Sequence, residues 1–375
     1  MPPPAYPAAR AAAIAIHPHF ARHFAAEPAP ADHAPDVEAM QAMIDAAFWA
    51  SLRREEGYVP RISLAFVRPE QVTAPMLFEQ RLPLAAQPLT RVAPAVERPG
   101  IHLGVCRDGG ELSVWGATRH LPPFHFVLEV AAPGLLVVKH SSGPESPKFV
   151  NVAVLEGDRI KVVDQRAAAL PDCPSLLMSL LGLVKQLAGD GSASVWIEMA
   201  VSMRAHSRGG LLLIVPAGSQ AWRESVLRPI TYAVAPPFAA LADLMRAGPG
   251  EKLQGAWADA LRRAIDGIAG LTAVDGATIM TDAYDLLAFG AKIVRPAGAR
   301  QVDRLLLTEP IEGAPVTAAE PSQLGGTRHL SAAQFVHDQR DSIALVASQD
   351  GRFTVLGWSP CEETVHAHRI ETLLL

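Results

Sequence analysis

The sequence predicts a mixed α/β protein: a C-terminal α/β domain, with a central mixed sheet flanked by helices, preceded by a small β-rich domain. Three observations predict it. Between residues 101 and 163, short β-rich runs recur about every ten residues with turn signals between them. From residue 171 onward, helical periodicity alternates with short continuous apolar runs such as Leu211–Val215, the pattern of strands buried on both faces. The chain has 375 residues, 49% of them hydrophobic. That is enough for real cores, and the length corresponds to roughly two to three domains.

Residues 1–35 are rich in proline and alanine and read as a loose arm that admits a short helix near Ala8–Ala26. Residues 36–100 read as a helix–strand segment followed by a proline-rich connector. Asp36 is an N-cap, and Val37, Met40, Ile44, Ala47, Phe48 and Leu52 follow at helical spacing. Pro60 ends that helix, and Ile62–Val67 is a strand. Pro69, Pro75, Pro83, Pro88, Pro94 and Pro99 then predict an extended connector with no regular helix.

Residues 101–170 form the expected β-rich domain. Its strands are Ile101–Cys106, Leu112–Trp115, Phe124–Val130, Leu135–Lys139, Phe149–Leu155 and Arg159–Val163, in a small antiparallel sheet or barrel. Residues 171–375 form the expected α/β domain. Helices are expected over Leu176–Leu187, Ala193–His206, Phe238–Ala247 and Leu253–Ile268. Strands are expected over Leu211–Val215, Ala277–Met280 and Leu286–Phe289, with Ser342–Ala347 and Arg352–Leu356 as a hairpin across Gln349-Asp350-Gly351.

Composition narrows the function classes. A net charge of −5 argues against binding a nucleic-acid polymer, but not against a single nucleotide. The three cysteines, Cys106, Cys173 and Cys361, form no CxxC pair. This argues against a zinc knuckle or a disulfide framework and fits a reducing cytoplasm, the expected location. No apolar run reaches ~18 residues, so no membrane span is expected. Ala11–Ile16 is too short for a signal sequence. The 32 prolines are about 8.5% of the chain, above the usual ~5%, so part of it should be extended.

Three segments could carry chemistry. Gly209 and Gly210 precede Leu211 at a helix-to-strand turn; they either cap the helix or let a flat ligand approach the backbone. Asp275-Gly276-Ala277 enters a strand. It is either a plain turn or a carboxylate beside space for a ligand, with an oxygen suited to a hard divalent ion. Gly325-Gly326-Thr327-Arg328-His329 opens a helix, where free N–H groups and the dipole favour an anion. That segment is either a capped helix with two surface cations or a phosphate cradle. Other candidates are weaker. Cys361, His366 and His368 match no common metal spacing, Asp338, Arg340 and Asp341 read as a solvated charge cluster, and Ser219 lacks a nucleophile elbow.

Together and in this order, Gly209–Ile214, Asp275–Ala277, Gly326–Leu330 and Ile343–Ser348 resemble the diadenylate cyclase (DAC) fold family, and most closely its DAC-related sensor-domain group, DACNV. The resemblance covers about half the chain. It implies two facing protomers, each holding an ATP, whose 3′-hydroxyls attack the α-phosphates to give cyclic di-AMP. By position, Asp275 would bind Mg or Mn and activate the hydroxyl. Gly276 and Ala277 would line the base or ribose, Thr327, Arg328 and His329 would contact phosphate, and Gly209, Gly210, Leu211 and Gly326 would belong to the same nucleotide site.

Three departures bear on activity, one of them the long stretch from Lys292 to Leu324 between the second and third motifs, which contains several prolines. The family's Arg-His-Arg reads Arg328-His329-Leu330 here, so a phosphate-contacting guanidinium is replaced by an isobutyl group. The residue before Asp275 is Val274, where many cyclases have His. Losing one charge-stabilising donor costs catalysis about 3–4 kcal/mol in comparable deletions and weakens turnover more than binding. The sequence therefore favours a nucleotide sensor that binds ATP or a cyclic dinucleotide and passes its signal to an effector protein. An active metal-dependent diadenylate cyclase is the alternative, and a homodimer is the assembly the resemblance implies.

Overall fold

The computed structural model describes residues 5–25, 34–141, 149–164, 195–247 and 255–375. They fall into two compact units that divide after Asp164. The mixed α/β class read from the sequence is what the chain adopts, with two mixed sheets, one in each unit.

The first unit begins with helices α1 (Pro7–Ala25) and α2 (Val37–Ser51). They are followed by β1 (Ser63–Phe66), β2 (Met76–Pro83), α3 (Ala86–Val96), β3 (His102–Asp108) and β4 (Glu111–Thr118). Strands β5 (Phe126–Ala132), β6 (Leu135–Ser141), β7 (Phe149–Glu156) and β8 (Arg159–Val162) complete it. The eight strands form one open sheet in the order β2-β4-β3-β1-β5-β6-β7-β8. Only β1 and β3 run parallel. The sheet is larger than the expected small sheet or barrel because β1, the strand expected over Ile62–Val67, and β2, from the supposed connector, join it.

Within the Pro/Ala-rich arm, the helix expected near Ala8–Ala26 is present as the 19-residue α1 and is longer than the short helix expected. Ala9, Ala12, Ala13, Ile16 and Phe20 form its apolar face and are buried with Met40, Met43 and Ile44 of α2. Alanine at these positions lets the helices approach closely, and burying a side chain such as Phe20 contributes about 1.5–3 kcal/mol. The connector, against expectation, is not extended throughout, since α3 occupies residues 86–96. Pro88 falls in the first turn of α3, where an N–H would have no helical partner anyway. Ala86, Leu89, Thr90, Ala93 and Val96 are buried at helical spacing, so burial outweighs the cost of Pro94 near the other end. The N-cap reading of Asp36 is met: its Oδ1 accepts the Ala39 N–H at 2.7 Å.

The second unit contains α4 (Val195–Ala205), β9 (Gly210–Val215), β10 (Tyr232–Phe238), α5 (Ala240–Arg246), α6 (Gly255–Leu271), β11 (Ala277–Thr281) and β12 (Leu286–Ala291). It continues with β13 (Leu305–Thr308), β14 (Thr317–Ala319), the single turn α7 (Pro321–Leu324), α8 (Thr327–Asp338), β15 (Ile343–Ala347), β16 (Phe353–Ser359) and β17 (Thr364–Arg369). The expected helix over Leu176–Leu187 lies outside the described residues. The sheet order is β10-β12-β11-β9-β15-β16-β17-β13-β14. Strands β9 and β11 are parallel neighbours, with Leu213 opposite Ile279.

All six residues of β9 are buried because both sheet faces are covered. On one face Leu212, Ile214 and Met280 pack with Met199 and Met203 of α4 and Ile265 and Ile268 of α6. On the other, Leu211, Leu213 and Ile279 pack with Ala332, Ala333 and Val336 of α8. The three-layer arrangement anchors the first turn of α8 beside the starts of β9 and β11.

Candidate functional site

A concavity of about 210 Å³ opens where β9 and β11 begin, β12 ends and α8 starts. Leu211, Asp275, Gly276, Ala277, Lys292, Thr327, Arg328 and Ser331 line it. The structure thus brings together residues from all three segments singled out by sequence.

Asp275 stands just before β11 with its side chain 90% exposed, and its Oδ2 accepts a hydrogen bond from Lys292 Nζ at 2.6 Å. That bond and the lysine charge hold the Asp275 carboxyl below the usual carboxylate range, and Arg328 adds to the effect. Lys292 follows β12, which pairs antiparallel with β11, with Ala277 opposite Ala291. The hairpin therefore fixes this ion pair at the mouth.

Helix α8 begins at Thr327 with Gly326 as its N-cap, and no side chain caps the exposed N–H groups of its first turn. Arg328, the second helical residue, is half-buried. Its Nε is buried without a hydrogen-bond partner, and the guanidinium has no ion-pair partner among the described residues. An unpaired guanidinium beside free helix N–H groups is a ready acceptor of an oxyanion.

The glycines have structural reasons of their own. Gly276 has φ +117°, and a Cβ there would lie 2.5 Å from the carbonyl carbon of Gly290, so the β11–β12 hairpin itself requires glycine. Gly209 has φ +71°, and a Cβ on it would sit 3.0 Å from Arg328 Nη1. A Cβ on Gly210 would meet Thr272 Oγ1 at 2.5 Å. Gly209, Gly210 and Gly326 do not line the concavity, although Gly209 abuts the tip of Arg328.

His329 does not line it either. It is 2% exposed, and its Nε2 lies 3.4 Å from Thr354 Oγ1 on β16. Burial, aided by Arg369, pushes its pKa down to about 4, so the ring is neutral at pH 7. Leu330 faces solvent, 42% exposed.

Lys292 is the residue that sequence reasoning missed. A lone lysine after an apolar run carries no motif; only strand pairing with the segment after Asp275 reveals it. No group of three or more His, Cys, Asp or Glu able to hold a metal ion occurs among the described residues. Among the described residues, Asp275 is the one acidic side chain lining the concavity, and Lys292 engages it.

Comparison with known proteins agrees with the family read from the sequence. Residues 29–119 match the family described as "Probable sensor domain DACNV". The match spans α2 to β4 in the first unit and does not include the three motif segments. No curated protein matches the chain. Among solved structures, a double mutant of DacA from Staphylococcus aureus aligns at 12% identity, covering 46% of this chain and 83% of that one, with a TM-score of 0.24. Among the described residues, no helix is long and apolar enough to cross a membrane.

Proposed function

We propose that this chain, whose residues 29–119 match a DACNV sensor domain, is a nucleotide sensor that binds ATP or a cyclic dinucleotide at the concavity in its second unit. The observation that carries the reading is the unpaired Arg328 guanidinium at the uncapped start of α8, beside Asp275 and Lys292. The N–H groups of the first turn and the Arg328 fork suit phosphate oxygens. Lys292 adds a second cation, and the exposed Asp275 carboxylate can accept a ribose hydroxyl. At about 210 Å³ the concavity is below the ~300–1,000 Å³ of sites that enclose a whole small ligand, so it takes one end of the nucleotide. A homodimer and a protein effector belong to the same proposal.

An active diadenylate cyclase is the second reading, motivated by Asp275 at the strand entrance. Leu330 in place of a guanidinium, and Asp275 standing as the one acidic side chain of the concavity among the described residues, favour sensing over turnover. Calorimetric titration of the full chain with ATP and with cyclic di-AMP, with and without Mg²⁺ or Mn²⁺, tests both readings. Binding lost in Arg328→Ala supports the sensor. No binding of either nucleotide under any condition overturns it, and conversion of ATP to cyclic di-AMP would favour the cyclase.

A further inference from the structure

We propose that the first unit holds a separate binding site for a small organic oxyanion, on the sheet face opposite its helices. Leu64 of β1 pairs with Leu103 of β3, and Ser63 pairs with Glu129 of β5. Strand alternation turns Leu64, Leu103 and Leu128 into the helix-covered core. It sets Ser63, His102 and Glu129 in one row on the other face.

That row floors a cavity of about 390 Å³, within the range of small-molecule sites. Ser63 Oγ lies 2.7 Å from His102 Nδ1. Lys139 of β6, its side chain only 12% exposed, donates to Glu129 Oε2 at 2.6 Å. Val127, Ile101 and Phe149 supply apolar wall, with the Phe149 ring centre 5.1 Å from that of His102. Arg61 and Arg98 stand exposed at the rim, and neither has an ion-pair partner among the described residues.

The chemistry of the ligand follows from these groups. Lys139 and Glu129 neutralise each other, and at the rim Arg61 and Arg98 outnumber the exposed Glu97, so the site keeps one net positive charge and is matched to a carboxylate or phosphate. Burial holds His102 neutral, its pKa pushed down to about 4, so the Ser63–His102 pair serves as a hydrogen-bonding partner rather than a charge. Glu129 keeps its other oxygen for a ligand hydroxyl or amine, and the apolar wall takes a carbon body. A half-exposed ion pair adds little to stability, whereas one flooring a cavity orients a polar ligand. Arg61, Ser63, Arg98 and His102 all fall within the span matched by the sensor-domain family. This site does not rest on the nucleotide reading of the second unit.

Ligand-observed NMR on the full chain with glucose 6-phosphate, phosphoserine, citrate and inorganic phosphate tests the proposal. At least one organic anion should bind with Kd at or below ~1 mM. The double variant Arg61→Ala/Arg98→Ala, at exposed positions, should weaken it about tenfold or more, and Arg328→Ala should leave it unchanged. The proposal is overturned if no organic anion binds, or if inorganic phosphate binds as tightly as the organic anions. It is equally overturned if the rim variant binds like wild type, or if Arg328→Ala weakens binding as much as the rim variant does.

Discussion

Lys292 Nζ sits 2.6 Å from Asp275 Oδ2, joining the end of β12 to the entrance of β11 across the mouth of the concavity. The pair is solvent-exposed, so its role is positioning rather than stability. In Lys292→Met the carboxyl of Asp275 loses its hydrogen bond and the neighbouring charge, and its pKa should rise toward the ordinary aspartate value. Carboxyl-detected NMR titration of both proteins checks this. An unchanged midpoint would show that Lys292 does not govern Asp275. The melting temperature should barely move.

Arg328 offers a sharper test of the nucleotide reading. Its Nε has no partner to lose, so Arg328→Ala should leave folding stability close to wild type. A charge-assisted hydrogen bond to phosphate contributes about 1.5–3 kcal/mol, or roughly 10–100-fold in affinity. Calorimetry should therefore show nucleotide binding weakened by that factor, while thermal unfolding stays nearly constant. Arg328→Lys should recover only part of the affinity, because an ammonium lacks the planar fork.

Gly276→Ala should fail for a reason independent of any ligand. The new methyl would meet the Gly290 carbonyl carbon at 2.5 Å, and φ is +117°. Strain and overpacking together should destabilise the fold by about 2–5 kcal/mol. Denaturant unfolding without nucleotide reads this directly. A wild-type midpoint would mean that the β11–β12 hairpin relaxes freely and that glycine is there for the ligand alone.

Much of this architecture was legible in the sequence where the signal is local. The apolar run of β9, the hairpin of β15 and β16, and the N-cap at Asp36 all follow from residues within a few positions of each other. Helix α1 was legible as a helix but not in its packing, and α3 was not legible at all, because Pro88 and Pro94 obscured a buried face whose packing depends on a partner helix. At the site, Asp275, Thr327 and Arg328 were found from motifs, but Lys292 depends on strand register. The burial of His329 had a signal that went unused: His329, Ala332, Ala333 and Val336 share the helical spacing of the α8 core face.

That burial makes His329 an acid-sensitive element of the second unit. Its folded pKa, about 4, lies below the ordinary 6.5, so between these values the unfolded chain binds more protons than the native one. Stability from the neutral ring is therefore fully present above pH 6.5 and is lost as pH falls toward 4. The groups facing the ring reinforce this on balance: Arg369 and Arg352 disfavour its protonation, against Asp350, which favours it. His102 and His368, pushed down to about 4 and about 3 by burial, add to the same acid limb. His329→Gln keeps a polar side chain within reach of Thr354 but cannot acquire the proton. Its stability deficit relative to wild type, measured by urea unfolding at pH 7, 5.5 and 4.5, should shrink steadily as the pH is lowered. A deficit constant across those three values would mean that His329 is not held neutral by its surroundings.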